Sequence, residues 1–175
     1  MLKIGVGVLL CALVTGCVTN QPTNLNNLTD AQFATLVQTE SLQAQQLAIV
    51  ATDVSLSSIS DPVERTKVMT LANLVATAIN TTAQGSSLDL SSIQPLVDGL
   101  LTNATPQNKQ LVNALINSVL LGVENVINSN NVVFAQTRQV VLVKSLLASA
   151  AQGVINETKG LSVRKANLAK DIVGV

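Results

Sequence analysis

DPVERTKVMTLANLVATAINTTAQG, residues 61–85, decides the fold. Asp61 offers a side-chain oxygen to the first free amides of a helix. Pro62 takes the first helical position, where its missing N–H costs nothing, and Glu64 follows in the first turn, beside the positive end of the helix dipole. Gly85 closes the stretch after Gln84. Between these ends Thr66, Thr70, Asn73, Thr77, Asn80 and Gln84 return to one face, which is polar but seldom charged. The stretch predicts a helix over 62–84.

The same grammar extends in both directions. Upstream, Thr29 and Gln32 make a capping box, and Phe33, Leu36, Val37, Ala44, Leu47, Ala51 and Val54 recur with the helical period, predicting a helix over 30–57. Downstream, residues 85–92 read as a loop. Ile93, Leu96, Val97, Leu100 and Leu101 then predict a short helix over 93–102, with Gly99 working against it. Thr105-Pro106 repeats the cap-then-proline signal, and the stripe from Leu111, Val112, Leu115 and Ile116 to Val126 and Ile127 predicts a helix over 106–128, ended by Ser129-Asn130-Asn131. A last long helix is expected over 132–158, with Gly160 just beyond it and a weaker amphipathic tail over 161–173.

Val140 to Ile155 is the most apolar run of this region. Lys144 interrupts it, and Arg138, Ser145, Ser149, Gln152, Asn156 and Lys159 line one face, so it belongs on a core and not across a membrane. Residues 140–143 are Val-rich and would suit a strand, but cap signals and stripe lengths outweigh that propensity. The expected fold class is all-α, a mostly antiparallel bundle of four long helices plus short helices.

Composition narrows function. The 175 residues carry Lys+Arg 10 against Asp+Glu 10, no His, two Cys, and 47% apolar residues with 1% aromatic. That is one domain with enough apolar material for a core. Without a basic excess or aromatic rings there is no footprint for nucleic acid. Without His there is no His-based triad, His-ligated zinc or haem. Ser162-Val163-Arg164-Lys165 matches the S-x-x-K pattern of lysine-assisted serine enzymes, but the S-D-N and K-T-G elements are missing. The six Asp and four Glu show neither calcium-loop spacing nor an aromatic-walled sugar cleft. No cofactor is expected, and an enzyme is a distant third among the functional classes.

The first seventeen residues carry the address. Met1-Leu2-Lys3 is a short positive start, Ile4 to Leu13 a ten-residue apolar run, and Val14-Thr15-Gly16-Cys17 places small residues before a cysteine. Ten residues rise only about 15 Å as a helix, half of the roughly 30 Å hydrocarbon core, so the run is a secretion signal and not a span. The tetrapeptide resembles the lipobox of bacterial lipoproteins, with Val14 where Leu is commonest.

That resemblance implies cleavage before Cys17, lipid on Cys17, and loss of Cys11 with the leader. Val18, where Asp would signal inner-membrane retention, implies the outer membrane of a Gram-negative host. The expected organisation is a signal peptide over 1–16, a lipidated cysteine and flexible tether over 17–28, and the bundle over 29–175. The tether, rich in Asn, Thr and Gln, would hold the bundle on the order of 20 Å from the membrane.

Two charges interrupt core stripes. Counting about 100° per residue from Phe33 places Glu40 between Leu47 and Ala51, and Lys144 falls among Val140, Leu147, Ala148 and Ala151. Either each side chain reaches water along its stem, or the first and last long helices are neighbours and the two charges pair, or they mark a polar cavity between helices. The function expected is a lipid-anchored envelope adaptor, assembly factor or scaffold with a protein partner. The alternative is a carrier of an apolar ligand or lipid in the bundle core.

Overall fold

A computed structural model describes the backbone of residues 25–85, 92–129 and 137–173. Side chains are described over the same residues except 122, 124–129 and 162–173. A single 3-10 turn, Leu25–Asn27, precedes five helices: α1, Asp30–Ser57; α2, Pro62–Gln84; α3, Ile93–Leu100; α4, Pro106–Ser129; and α5, Thr137–Val173. The fold is the all-α bundle expected, with four long helices and one short. Residues 140–143 are helical.

The caps account for the boundaries. Thr29 Oγ1 accepts from the Gln32 amide at 3.3 Å while Gln32 Oε1 accepts from the Thr29 amide at 2.9 Å, so both strands of the capping box form. Asp61 Oδ1 accepts from the Val63 amide at 2.7 Å, and Thr105 Oγ1 accepts from the Asn108 amide at 3.3 Å. Gly85 ends α2 in an extended conformation (φ −63°, ψ 168°), which any residue can adopt. Gly160 does not end the last helix. α5 runs unbroken through it for 37 residues, because a helix-interior glycine costs only about 1 kcal/mol and Leu161 beyond it still packs on the core.

Contacts between helices give the directions. Arg138 meets Leu25 and Leu28, and Gly153 meets Gln45 and Ala48, so α1 and α5 run parallel. Asn73 donates to Thr158 and Lys144 to Gly85, so α2 and α5 are antiparallel. Ala76 and Ile79 share a small cavity with Ile116, and Asn108 lies beside Glu64, so α4 runs parallel to α2. α5 and α4 each pack against both α1 and α2, which leaves the consecutive pairs α1/α2 and α4/α5 as the less intimate diagonals. The return from α2 to α4 takes the chain back along the bundle, and α3 lies on that path with Ile93, Val97 and Leu101 buried.

The core differs in grain from side to side. α5 contributes Leu142, Val143, Leu146, Leu147 and Val154, all nearly inaccessible, while α1 contributes mainly Ala44, Ala48, Ala51 and Leu56. Small residues let the α1 and α5 backbones approach closely. A Cβ on Gly153 would stand 2.5 Å from the Gln45 carbonyl oxygen and 2.9 Å from the Ala48 Cβ. Thr52 is buried in this seam with its hydroxyl donated to the Ala48 carbonyl at 2.6 Å, so the seam carries no unpaired hydroxyl there.

Candidate functional site

Cys17, the leader and the tether up to Asn24 lie outside the described residues. Leu25–Leu28, expected in the tether, belongs to the bundle instead. Leu25 is 2% exposed and Leu28 packs against the core. Arg138, at the start of α5, holds this segment. One guanidinium nitrogen donates to the carbonyls of Leu25 (3.0 Å) and Leu28 (2.6 Å), the other pairs with the Asp30 carboxylate, and the group stacks 5.3 Å above the Phe33 ring.

These contacts are unequal. Asp30 is 98% exposed, so its ion pair contributes about 0.2–1 kcal/mol. Burial of Leu25 contributes about 1.5–3 kcal/mol, and each charge-assisted bond to a carbonyl about the same. The docked backbone dominates. A reading of the sequence assigns Arg138 only to a polar face, because its partners lie more than a hundred residues away. The paired Leu25 and Leu28 in an otherwise polar stretch were the available signal.

Glu40 and Lys144 do not pair, although α1 and α5 are neighbours as expected. Lys144 donates to the Gly85 carbonyl at the end of α2, supplying a cation where the helix dipole is negative. Glu40 is half-buried, and burial alone raises its carboxyl above the ordinary value. Geometry explains the separation: Glu40 lies about 80° around α1 from Ala48, the residue α1 sets against Gly153, so the α1–α5 seam does not carry it toward Lys144. At the opposite end of the bundle, hydrogen bonds from Lys67 and then Asn108 hold the Glu64 carboxyl below its ordinary value.

The polar faces are less polar than their composition. Thr66, Thr70 and Thr77 donate their hydroxyls to the carbonyls of Pro62, Thr66 and Asn73, so the outer face of α2 presents methyls. Val63 and Leu74 are also largely exposed on this helix. Asn73, on the same face, is partly buried and donates to Thr158 on α5 at 2.9 Å. On α4, Asn113 is partly buried and Asn117 exposed, while the side chains of Glu124 and Asn128 lie outside the described residues, as do those of Ser162 and Lys165.

The cavity between α2, α4 and α5 has about 10 Å³ of room and is lined by Ala76, Ile79, Ile116, Leu147, Ala150 and Val154 among others. That is no more than one water occupies, and the lining is apolar. Thr137–Leu161 is long and apolar enough to cross a membrane, but 56% of its most apolar 18-residue stretch is buried within the protein, as in the core helix of a bundle. Among the described residues no three Cys, Asp or Glu side chains gather where they could hold a metal ion. No family model, curated protein or solved structure matches the chain.

Proposed function

We propose that this chain is a lipid-anchored protein of the bacterial envelope that acts as an adaptor, assembly factor or scaffold near the membrane. The observation that carries the reading is the leader: a positive start, a short apolar run and Val14-Thr15-Gly16-Cys17 in lipobox order. Lipid on Cys17 would put several acyl chains in the bilayer, and at about 0.8 kcal/mol per buried CH₂ such an anchor is effectively permanent. Val18 after the cysteine favours the outer membrane.

Binding is preferred over carriage because the cavity between α2, α4 and α5, with about 10 Å³ of room, offers no berth for an acyl chain without rearrangement. The methyl-bearing, weakly charged faces of α1 and α2, with Leu42, Val50, Val63 and Leu74 exposed, suit contact with another protein. Metabolic labelling with a fatty acid is expected to acylate the full chain in a bacterial host, and Cys17→Ala to abolish both the label and membrane fractionation. Normal labelling of the alanine variant would refute the anchor. Crosslinking in membranes followed by mass spectrometry is expected to capture a stoichiometric protein partner; extractable lipid alone would favour the carrier.

A further inference from the structure

We infer that Arg138 is a latch that sets how far the bundle stands from its membrane anchor, an inference that rests on the lipid-anchored reading above. The latch holds backbone as well as side chain, because the Leu25 and Leu28 carbonyls both accept from one guanidinium nitrogen while Leu25 is buried below it. A lysine offers a point charge where this site uses a planar fork.

With the segment docked, seven residues, Val18 to Asn24, separate Cys17 from the folded body. With it released, the span between Cys17 and the folded body lengthens to eleven residues, Val18 to Leu28, and no further. The capping box between Thr29 and Gln32 is local to α1 and holds its first turn whether or not Arg138 is engaged. Release therefore has a defined end point.

The change in reach follows from chain length. Fully extended, the chain spans at most about 28 Å from Cys17 to Leu25 with the segment docked, and at most about 42 Å from Cys17 to Thr29 with it released. Only the released state also uncovers the seat of Leu25 and the face of Phe33 beneath Arg138. A partner that competes for this seat would lengthen the tether on binding. The device thus couples occupancy at the anchored end of the bundle to its distance from the bilayer.

Hydrogen exchange of the full chain in detergent, read by mass spectrometry, tests the latch itself. Arg138→Ala is expected to speed exchange over 25–28 by at least about tenfold while exchange in α2 stays as in the parent. Arg138→Lys should lie between the two. Asp30→Asn, which alters an exposed group and spares the fold, should loosen the segment less than Arg138→Ala. Free exchange over 25–29 in the parent, or loss of protection throughout the bundle in both Arg138→Ala and Asp30→Asn, would overturn the latch.

Energy transfer from a fluorophore at Ser57→Cys to labelled lipid, in vesicles reconstituted with the acylated protein, tests the stand-off. Arg138→Ala is expected to lower the transfer efficiency, and equal efficiencies would overturn the coupling. A chain that shows the exchange result but carries no acyl group would refute the anchor reading, and the stand-off with it, while the docking of 25–28 on Arg138 would stand.

Discussion

Glu40 and Lys144 show how two charges in apolar stripes reach different ends. Lys144 has a long stem and a helix terminus within reach, so it gains a carbonyl partner, whereas burial raises the Glu40 carboxyl with no charge-pairing contribution to offset it. The linkage has a definite sign. A carboxyl whose folded pKa lies above its unfolded value opposes folding once it is ionised; the penalty is full above the raised pKa and fades as pH falls through it. Glu40→Gln is therefore expected to raise the urea midpoint at pH 7 and to leave it unchanged below about pH 4. A lower midpoint at pH 7 would mean that the carboxylate makes a favourable contact. Lys144→Met loses a charge-assisted bond and is expected to cost about 1.5–3 kcal/mol. A double-mutant cycle of the two changes should be additive within about 0.5 kcal/mol, and a larger coupling would restore the pair.

At the scale of the helix, two glycines provide a matched contrast. Alanine is the better helix former by about 0.8–1 kcal/mol, and at Gly99, on the exposed side of α3, an added Cβ meets nothing within 4 Å. Gly99→Ala should stabilise by up to about that amount. At Gly153 the same Cβ would press on the Gln45 backbone carbonyl at 2.5 Å, and backbone cannot rotate away. Gly153→Ala is expected to lose about 1–3 kcal/mol despite the gain in propensity, visible as a lower Tm in thermal unfolding. A stabilised Gly153→Ala would mean that α1 and α5 can separate without penalty. Element boundaries were the most legible part of this chain for a related reason: Thr29, Asp61 and Thr105 cap through contacts two or three residues away, which sequence order preserves. Gly160 was misread because a glycine after an apolar run signals a stop only if the backbone turns there, and a packed Leu161 keeps it helical.

Across the whole molecule, legibility falls with sequence separation. The caps of α1, α2 and α4 are local, but the docking of Leu25 and Leu28 on Arg138 joins residues 110 to 113 apart, and no periodicity announces such a contact. The parallel course of α1 and α5 is hidden for the same reason. It is also where most of the core forms, since α5 packs extensively on both α1 and α2, whereas those two barely touch one another. A chain ending at residue 136 should therefore lack a cooperative urea transition by circular dichroism, even though it keeps the sequences of α1, α2 and α4 intact. A sharp transition in that truncated chain would show that α1, α2 and α4 suffice for a core.

The ribosome makes this keystone last. At about 5–20 residues per second, the roughly 80 residues between the end of α1 and the start of α5 take roughly 4–16 seconds to make, and throughout that interval the alanine seam of α1 has no counterpart. On the export route proposed above, this delay would keep the strand threadable: the head could be captured and drawn through a narrow pore while the helix that locks the bundle is still being synthesised.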